Sequence, residues 1–279
     1  METAEQLKEI VKEKYGQIAD QSKGQNEASC CGATSGCSTV DYAVMADDYS
    51  HLQGYVADAD LGLGCGLPTE FALIKEGDTV VDLGSGAGND CFVARSIAGE
   101  KGRVIGIDFT QRMIEKAKMN AARLGFKNVE FRQGDIESMP LASNVADVVV
   151  SNCVLNLVPN KQQAFAETFR ILKKGGHFSF SDIVLIGQLP EGLKKSGEMY
   201  AGCVAGAIQI EEYLNIIKAA GFIDIKIQKK KQIKLPEEIL KGYLNEQEII
   251  NFENESTGIF SITVYAEKPI NCCAPGCCD

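Results

Sequence analysis

The sequence predicts an α/β protein built on a doubly wound, mostly parallel sheet of seven strands. Short β-branched apolar runs alternate with helical stretches from about residue 78 onward, which is typical of parallel strands joined by crossover helices. A glycine-rich run, Gly84 to Gly88, follows the first strand, at the edge where such sheets bind ligands. A thiol-bearing N-terminal segment precedes this core, and a smaller C-terminal region follows it.

The elements follow in order from their periodicity. Residues 4–15 have apolar side chains at helical spacing, and a mobile, glycine-rich cysteine loop comes next. The predicted strands span residues 78–83, 103–108, 129–134, 145–152, 177–185, 222–228 and 259–267. The predicted helices among them span residues 90–98, 110–124, 160–172 and 210–220. Gly175 and Gly176 are expected to end the helix at 160–172.

We divide the chain into four parts on this pattern. They are residues 1–60 (N-terminal helix and mobile cysteine loop), 61–186 (ligand-binding core), 187–268 (a region covering one side of the pocket and supplying the final strands) and 269–279 (a flexible cysteine-rich tail).

Composition excludes several classes of protein. A net charge of -10 leaves no extended basic face, so we expect no nucleic-acid partner. No apolar run approaches the length of a membrane span, and the first residues carry no export signal, so we expect a cytoplasmic, monomeric protein. The 11 cysteines are an odd number in a chain that can build a large core, which favours reduced, working thiols.

The ligand of the glycine run is indicated by charge. Gly84, Ser85, Gly86 and Gly88 alone fit several nucleotide-type ligands. The acidic residues at the strand ends disfavour a diphosphate but suit S-adenosylmethionine, which has a sulfonium, an ammonium and ribose hydroxyls. Asp108 lies 20 residues after Gly88, the spacing of a ribose-binding acid. The predicted cofactor-binding residues outside the glycine run are Asp82, Asp108, Ile136 and Glu137.

Four cysteines lie in four separate parts of the chain around this loop: Cys31 (or its neighbour Cys30), Cys65, Cys153 and Cys203. Thiolates are soft ligands that select soft ions. Cysteines beside a cofactor pocket therefore indicate a soft substrate. Cys91, on the helix after the glycine loop, is expected to be a buried structural residue.

Four stretches of the chain resemble the arsenite methyltransferase family, S-adenosylmethionine-dependent enzymes with the class I, Rossmann-like methyltransferase fold. They are Gly62-Leu63-Gly64-Cys65-Gly66-Leu67-Pro68, Asp82-Leu83-Gly84-Ser85-Gly86-Ala87-Gly88-Asn89-Asp90-Cys91, Val150-Ser151-Asn152-Cys153-Val154-Leu155-Asn156-Leu157 and Gly202-Cys203-Val204-Ala205-Gly206-Ala207. The resemblance covers about residues 5 to 225.

The resemblance implies roles for the cysteines. Arsenite arrives as a complex with glutathione or another thiol, and Cys153 and Cys203 bind the arsenic with high affinity. Cys65 joins the cycle with an N-terminal cysteine through a disulfide, which thioredoxin or a small thiol reduces. Cys30, Cys31 and Cys37 lie where the family has one cysteine, and we favour Cys31.

Trivalent arsenic bound by three thiolates keeps a lone pair, which can attack the methyl group of the cofactor. Because coordinating sulfur must lose its proton, activity is expected to rise with pH through the thiol titration. The terminal Cys272-Cys273 and Cys277-Cys278 pairs are expected to capture arsenite or another soft metal. Two alternatives stay open: methylation of an organic small molecule of quinone or sterol type, and a soft-metal binding protein without turnover.

Overall fold

One mixed sheet organises the protein. The computed structural model describes residues 3–28, 45–194, 203–235, 237–254 and 258–270. Within these ranges, the strands are β1 (Thr79–Leu83), β2 (Arg103–Asp108), β3 (Val129–Gln133), β4 (Ala146–Asn152), β5 (Leu172–Ile186), β6 (Ile208–Gln209), β7 (Ile223–Ile233) and β8 (Gly258–Glu267).

The strand order is β3-β2-β1-β4-β5-β8-β7, with β6 attached to β5. Strands β1 to β6 pair in parallel, whereas β8 pairs antiparallel with both β5 and β7. The predicted fold class is therefore confirmed. In the described part of the chain the sheet has eight strands, because the predicted seven omitted the two-residue β6.

Helices flank the sheet. They are α1 (Ala4–Ala19), α2 (Lys23–Ala28), α3 (Pro68–Phe71), α4 (Asn89–Ala98), α5 (Gln111–Arg123), α6 (Lys161–Ile171), α7 (Glu191–Lys194), α8 (Ile210–Ala219), α9 (Glu237–Lys241) and α10 (Glu246–Asn254). A capping box of Thr3 and Gln6 begins α1, which extends four residues beyond the predicted 4–15.

Both faces of the sheet are buried, because side chains alternate along each strand. Val80 packs into a cluster with residues of α4 and α5, whereas its neighbour Val81 packs into a cluster with residues of α6 and α8. Val80 and Val81 are both 0% exposed. This two-sided burial is what a doubly wound fold requires.

One edge of β5 is shared by two strands, and this positions the site. The pairing of β4 with β5 ends at Asn152 and Ser181, and β6 begins to pair with β5 at Val184. Because β8 occupies the other edge of β5 as far as Ile186, β6 continues the edge that β4 leaves. Residues just after β4 and just before β6 therefore meet at the carboxyl end of the sheet.

Several predictions fall outside the described residues. These are the cysteine loop with Cys30, Cys31 and Cys37, and the tail with its two cysteine pairs. The division into four parts stays a prediction. No helix in the described ranges has the length and apolarity to cross a membrane.

Candidate active site

The glycine loop lies at the carboxyl end of β1, at the point where the strand order reverses between β1 and β4. Gly84, Gly86 and Gly88 all have positive φ angles, of 69°, 50° and 100°, which favour glycine. A Cβ on Gly84 would lie 2.3 Å from Cγ2 of Val154, whereas a Cβ on Gly86 would have no described atom within 4 Å. The loop thus packs closely on the segment after β4 while Gly86 faces open space.

Polar groups for a ligand line the same cleft. Asp108 accepts from the backbone N–H of Gly86 at 3.0 Å and of Thr110 at 2.8 Å, so its carboxylate holds the loop in place. Burial nevertheless raises the pKa of Asp108. Ser85 Oγ is buried and forms no hydrogen bond to any described residue. Ile136 contributes apolar surface to the cleft.

Two further acids line the cleft that the sequence did not single out, Asp60 and Asp90. Asp90 accepts hydrogen bonds from the hydroxyls of Tyr49 at 2.8 Å and Thr69 at 3.3 Å. Burial raises the pKa of Asp90 to about 6, although these hydrogen bonds oppose the shift. With Asp108 and Asp135, four acids of the described part of the chain line this cleft, and they suit a ligand with positive charge and ribose hydroxyls. The position of Asp90 in the first turn after the glycine loop was the available signal; Asp60 had none.

Three predicted cofactor residues do not line the cleft. Asp82 is 2% exposed and accepts from the thiol of Cys91 at 3.2 Å beneath the loop. The Cα of Gly88 faces the rings of Phe131 and Phe92, where a Cβ would come within 2.9 Å.

The third residue, Glu137, forms an ion pair with Lys8 of α1 and accepts from the N–H of Asn160 at 2.8 Å. The structure thus places all three as supports of the cleft wall, and their predicted roles in holding the cofactor stay predictions.

The structure brings three of the four predicted cysteines together. Cys65, Cys153 and Cys203 pack in one buried cluster of side chains, and both neighbours affect the pKa of the Cys153 thiol. Cys203 Sγ also lies 3.0 Å from the carbonyl oxygen of Cys153. Cys65, Cys153 and Cys203 are 0%, 7% and 2% exposed, and the last two line the cleft.

The segment carrying Cys65 crosses the ends of β4 and β5 because glycines flank the cysteine. A Cβ on Gly64 would lie 2.7 Å from Nδ2 of Asn152, and one on Gly66 would lie 2.5 Å from Oγ of Ser181. The N–H of Cys65 donates to Asn152 Oδ1 at 2.9 Å. Close backbone contact therefore fixes Cys65 beside β4.

The other two cysteines have an uncommon backbone conformation. The φ angles are +60° at Cys153 and +66° at Cys203, in the left-handed region that a residue other than glycine rarely adopts. The N–H of Cys153 donates to the carbonyl oxygen of Ser181 at 2.7 Å, which holds the turn after β4. Such strain is frequent at functional sites.

The environment of the thiols favours their neutral form. Burial raises the pKa of Cys65. The hydrogen bond from Cys203 lowers the pKa of Cys153, but its hydrogen bond to Cys65 and its burial raise that pKa well above the ordinary value. The pKa of Cys203 is raised strongly by its hydrogen bond to Cys153 and by burial, and a hydrogen bond from Tyr15 of α1 opposes the shift. The thiols are therefore protonated near neutral pH.

The three sulfurs form a row with Cys153 in the middle. In the described ranges, no group of three or more His, Cys, Asp or Glu side chains is arranged to hold a metal ion. The row therefore has to close by side-chain rotation for all three sulfurs to share one ion. Cys91 lies outside the row, consistent with its predicted structural role.

Comparisons with known proteins agree with this geometry. A family model described as a methyltransferase domain matches residues 74–221, which is more than half of the chain. The arsenite methyltransferase of Halobacterium salinarum is 41% identical over 81% of this chain and 60% of that protein. The arsenite methyltransferase of Aquipseudomonas alcaligenes is 32% identical over 86% of this chain and 69% of that protein. The chain belongs to the arsenite methyltransferase family.

A solved structure of an arsenic (III) S-adenosylmethionine methyltransferase from Chlamydomonas reinhardtii has a TM-score of 0.63 and 30% identity, over 84% of this chain and 74% of that one. The match covers 60% of the length of the Halobacterium salinarum protein and 69% of that of the Aquipseudomonas alcaligenes protein. Membership of the family confirms the Rossmann-like fold, the methyltransferase class of the domain and S-adenosylmethionine as its cofactor.

Proposed function

We propose that this protein transfers a methyl group from S-adenosylmethionine to trivalent arsenic held by its cysteine thiolates, in arsenic detoxification. The substrate is arsenite presented as a complex with glutathione or another thiol. Cys153 and Cys203 bind the arsenic, and Cys65 or the N-terminal Cys31 supplies the third sulfur.

One observation carries the proposal: cysteines from three separate parts of the chain, Cys65, Cys153 and Cys203, pack in one buried cluster. Their meeting point is the carboxyl end of β4, beside the glycine loop. Because two of them line the same cleft as Ser85 and Asp108, an ion bound there lies within the cofactor cleft. Soft sulfur ligands favour trivalent arsenic over hard acceptors.

The chain's own residues bind and orient the reactants. When bound, S-adenosylmethionine supplies an activated methyl group on a positively charged sulfur. Ser85, Asp90 and Asp108 would hold that cofactor from the cleft wall, which Gly84, Gly86 and Ile136 also line. The apolar shell of the thiols, which includes Met45, Leu157 and Val204, excludes water. Fixed approach geometry is the main contribution to rate that this arrangement offers.

Proton transfer belongs to the loading step. A thiolate is the species that displaces a thiol from the arriving arsenic complex, and the proton goes to the leaving thiolate. Because burial raises the pKa of Cys65, loading is faster at higher pH. The methylated four-coordinate arsenic then accepts two electrons from Cys65 and Cys31 and returns to the trivalent state. The two thiols release their protons and form a disulfide, which a thioredoxin-type or small-thiol reductant reduces.

A methylation assay tests the proposed function. Purified protein is incubated with arsenite, a thiol reductant and methyl-labelled S-adenosylmethionine, and arsenic species are separated by chromatography. We expect labelled methylarsenicals. Their absence at every pH between about 6 and 9, a range chosen to span thiol deprotonation, contradicts the proposal. Labelled products from a quinone or sterol in the same assay favour the organic-acceptor alternative.

The Cys153→Ser variant tests the assigned site. Serine oxygen is a poor ligand for a soft ion, and Cys153 is the middle sulfur of the row. We expect arsenite methylation to fall by at least about 100-fold, because the arsenic loses its positioned attachment. S-adenosylmethionine binding, measured by calorimetry, is expected to be unchanged.

The matched control is Cys91→Ser, in which the new hydroxyl can still donate to Asp82. Cys91 is also buried, but it lies outside the thiol row. We expect this variant to keep most of its activity. Full activity in Cys153→Ser, or equal losses in both variants, contradicts the assigned roles.

A further inference from the structure

Asp182, in β5, is a buried carboxyl group that the proposed mechanism does not use. It follows Ser181, whose carbonyl oxygen accepts from the N–H of Cys153 at 2.7 Å, so its strand lies against the thiol-bearing turn. Asp182 is 0% exposed. Its Oδ1 accepts from the N–H of Ile183 at 3.1 Å, and its Oδ2 accepts from the hydroxyl of Tyr213 at 3.3 Å. These hydrogen bonds fix its orientation.

The charge of Asp182 acts on each sulfur of the row. It raises the pKa of Cys65, of Cys153 and of Cys203, and therefore disfavours their thiolates. Of the core side chains around it in β5, Phe180 and Ile183 are apolar and 0% exposed, and Ser181 is polar and 1% exposed, so Asp182 is a charged group among neutral ones. A buried carboxyl group is expensive to maintain. An acid that opposes thiolate formation has to act on another charge.

Methyl transfer to arsenic produces such a charge. The arsenic lone pair forms the As–C bond while the C–S bond of the sulfonium breaks, and the electrons of that bond stay on the cofactor sulfur. Neutral trivalent arsenic with three thiolates thereby becomes a positively charged, four-coordinate centre. One positive charge moves from the cofactor cleft into the thiol row, and no oxidant or proton is needed for this step.

We propose that Asp182 is a positioning residue for this step, whose fixed negative charge stabilises the positive charge that methyl transfer places on the arsenic. This inference rests on the proposed function and adds a residue to it. Preorganised charges in a water-excluded site are among the largest contributions to catalysis. The same field that hinders thiolates thus favours the transition state.

The other ionisable groups around Asp182 are consistent with this role. Lys161 of α6 is 8% exposed and interacts with the charge of Asp182, but in the described part of the chain Asp182 forms no ion pair within 4.0 Å. Tyr213 of α8 donates to it without neutralising it. Burial raises the pKa of Asp182 to about 7, and Lys161 opposes the shift, so that much of the group is ionised above neutral pH.

The Asp182→Asn variant tests the inference, because it removes the charge but keeps the size of the side chain. The amide oxygen can accept from the N–H of Ile183, and the amide nitrogen can donate to the hydroxyl of Tyr213. Three quantities are measured: the thiol titration of the free protein by thiolate absorbance, the affinity for arsenite, and the single-turnover rate from arsenic-loaded protein at pH about 8, where an isolated carboxylate is charged.

The expected effects have opposite signs. The thiol titration shifts to lower pH, arsenite binds as tightly as before or more tightly, and the single-turnover rate falls by about tenfold or more. Asp182→Glu restores the charge with altered packing, and its rate is expected to exceed that of Asp182→Asn. Asp147→Asn makes the same change at the amino end of β4 and is expected to match the wild type in all three quantities.

Three results overturn the inference. The first is a single-turnover rate in Asp182→Asn within about twofold of the wild type, which is less than a buried charge contributes. The second is a joint loss of arsenite affinity and rate, which indicates a structural role, and the third is an Asp182→Glu variant as slow as Asp182→Asn. A wild-type protein that binds arsenite without methylating it fails differently, because it overturns the proposed function, whereas the thiol titration still reports the field of Asp182.

Discussion

At the scale of single residues, two glycines of the same loop differ in what a side chain would meet. Gly84 and Gly86 both have positive φ, so any other residue is strained at either position. Only Gly84 is also packed against a neighbour, since a Cβ there would overlap Val154. Gly84 therefore serves close packing between the loop and the segment after β4, whereas Gly86 serves conformation and leaves room in the cleft.

The variants Gly84→Ala and Gly86→Ala separate these requirements. Gly86→Ala is expected to lower the free energy of unfolding by about 1–2 kcal/mol, the cost of a left-handed alanine. Gly84→Ala adds an overlap at 2.3 Å and is expected to lose about 1–3 kcal/mol more. Urea denaturation measures both losses. Equal destabilisation of the two variants contradicts the packing role of Gly84.

The residues of the site were predictable where chemistry restricts the residue type. The position of Cys153 beside the cleft could be predicted because β4 had a recognisable end, whereas its role and that of Cys203 as ligands of a soft ion stay proposals. The ion pair between Lys8 and Glu137 could not be predicted, because no local pattern links residues that far apart in sequence. Asp182 was hidden for a similar reason: the sequence of β5 does not show which buried neighbours an acid will have.

At the scale of elements, β6 explains why distant cysteines meet. Strand β4 pairs with β5 as far as Asn152, and the two residues of β6 pair with the same edge of β5 farther along. The chain from Cys203 leads directly into β6. Periodicity cannot reveal a two-residue strand, because at least four residues are needed to show alternation. The convergence of Cys153 and Cys203 is thus a property of strand pairing and not of local sequence.

One predicted boundary was wrong for a physical reason. Gly175 and Gly176 were expected to end the helix at 160–172, but α6 ends at Ile171 and both glycines lie within β5. Leu172 already pairs with Ala146, and the register shifts before Val148 pairs with His177. Gly175, with φ of +77°, accommodates this irregularity. A glycine pair fits a helix end or a bulge equally well until the partner strand is known.

Helix α1 forms part of the cleft through Lys8 and Tyr15, which both line it. Lys8 bonds to Asp135 at 2.7 Å and also pairs with Glu137, and these contacts attach the helix to the loop after β3. Burial lowers the pKa of Lys8, but its two carboxylate partners outweigh that effect and raise it. The amphipathic pattern of α1 predicted a helix, but not the surface that it covers.

Removing this attachment is expected to loosen α1. In Lys8→Gln, amide hydrogen exchange within Ala4–Ala19 is expected to accelerate by about two- to fivefold, which corresponds to about 0.5–1 kcal/mol for partly exposed ion pairs. The matched control is Lys12→Gln, whose ion pair with Glu9, at 3.8 Å, lies within the helix. Equal acceleration in both variants contradicts a special role for Lys8.

At the scale of the whole molecule, the alternation of apolar runs was enough to predict the sheet and its crossover helices. The four cysteine-bearing stretches were enough to predict the family. What could not be predicted is the set of buried acids, Asp60, Asp90 and Asp182, because their effects come from burial that only tertiary structure defines. Burial raises the pKa of Asp90 and of Asp182, which gives the molecule a pH response that its composition does not show.

Asp182 and Asp90 are both expected to destabilise the fold as the pH rises. Burial raises the pKa of Asp182 to about 7 and of Asp90 to about 6, from an ordinary 3.8. At a pH between the ordinary pKa and the raised pKa of each group, the folded state holds a proton that the unfolded chain has released. Since the unfolded state then binds fewer protons, stability falls with rising pH through this window and is constant above it.

The variants Asp182→Asn and Asp90→Asn remove these losses in windows of different width. Relative to the wild type, the free energy of unfolding of Asp182→Asn is expected to increase from pH about 4 up to about 7, by on the order of 4 kcal/mol. That of Asp90→Asn is expected to level off nearer pH 6, after on the order of 3 kcal/mol. Urea denaturation at intervals between these pH values measures both curves. Asp182 stays protonated in the folded state up to a higher pH than Asp90 does, so the two curves are expected to level off at different pH values. Curves that level off at the same pH, or that fall as the pH rises, contradict these pKa shifts.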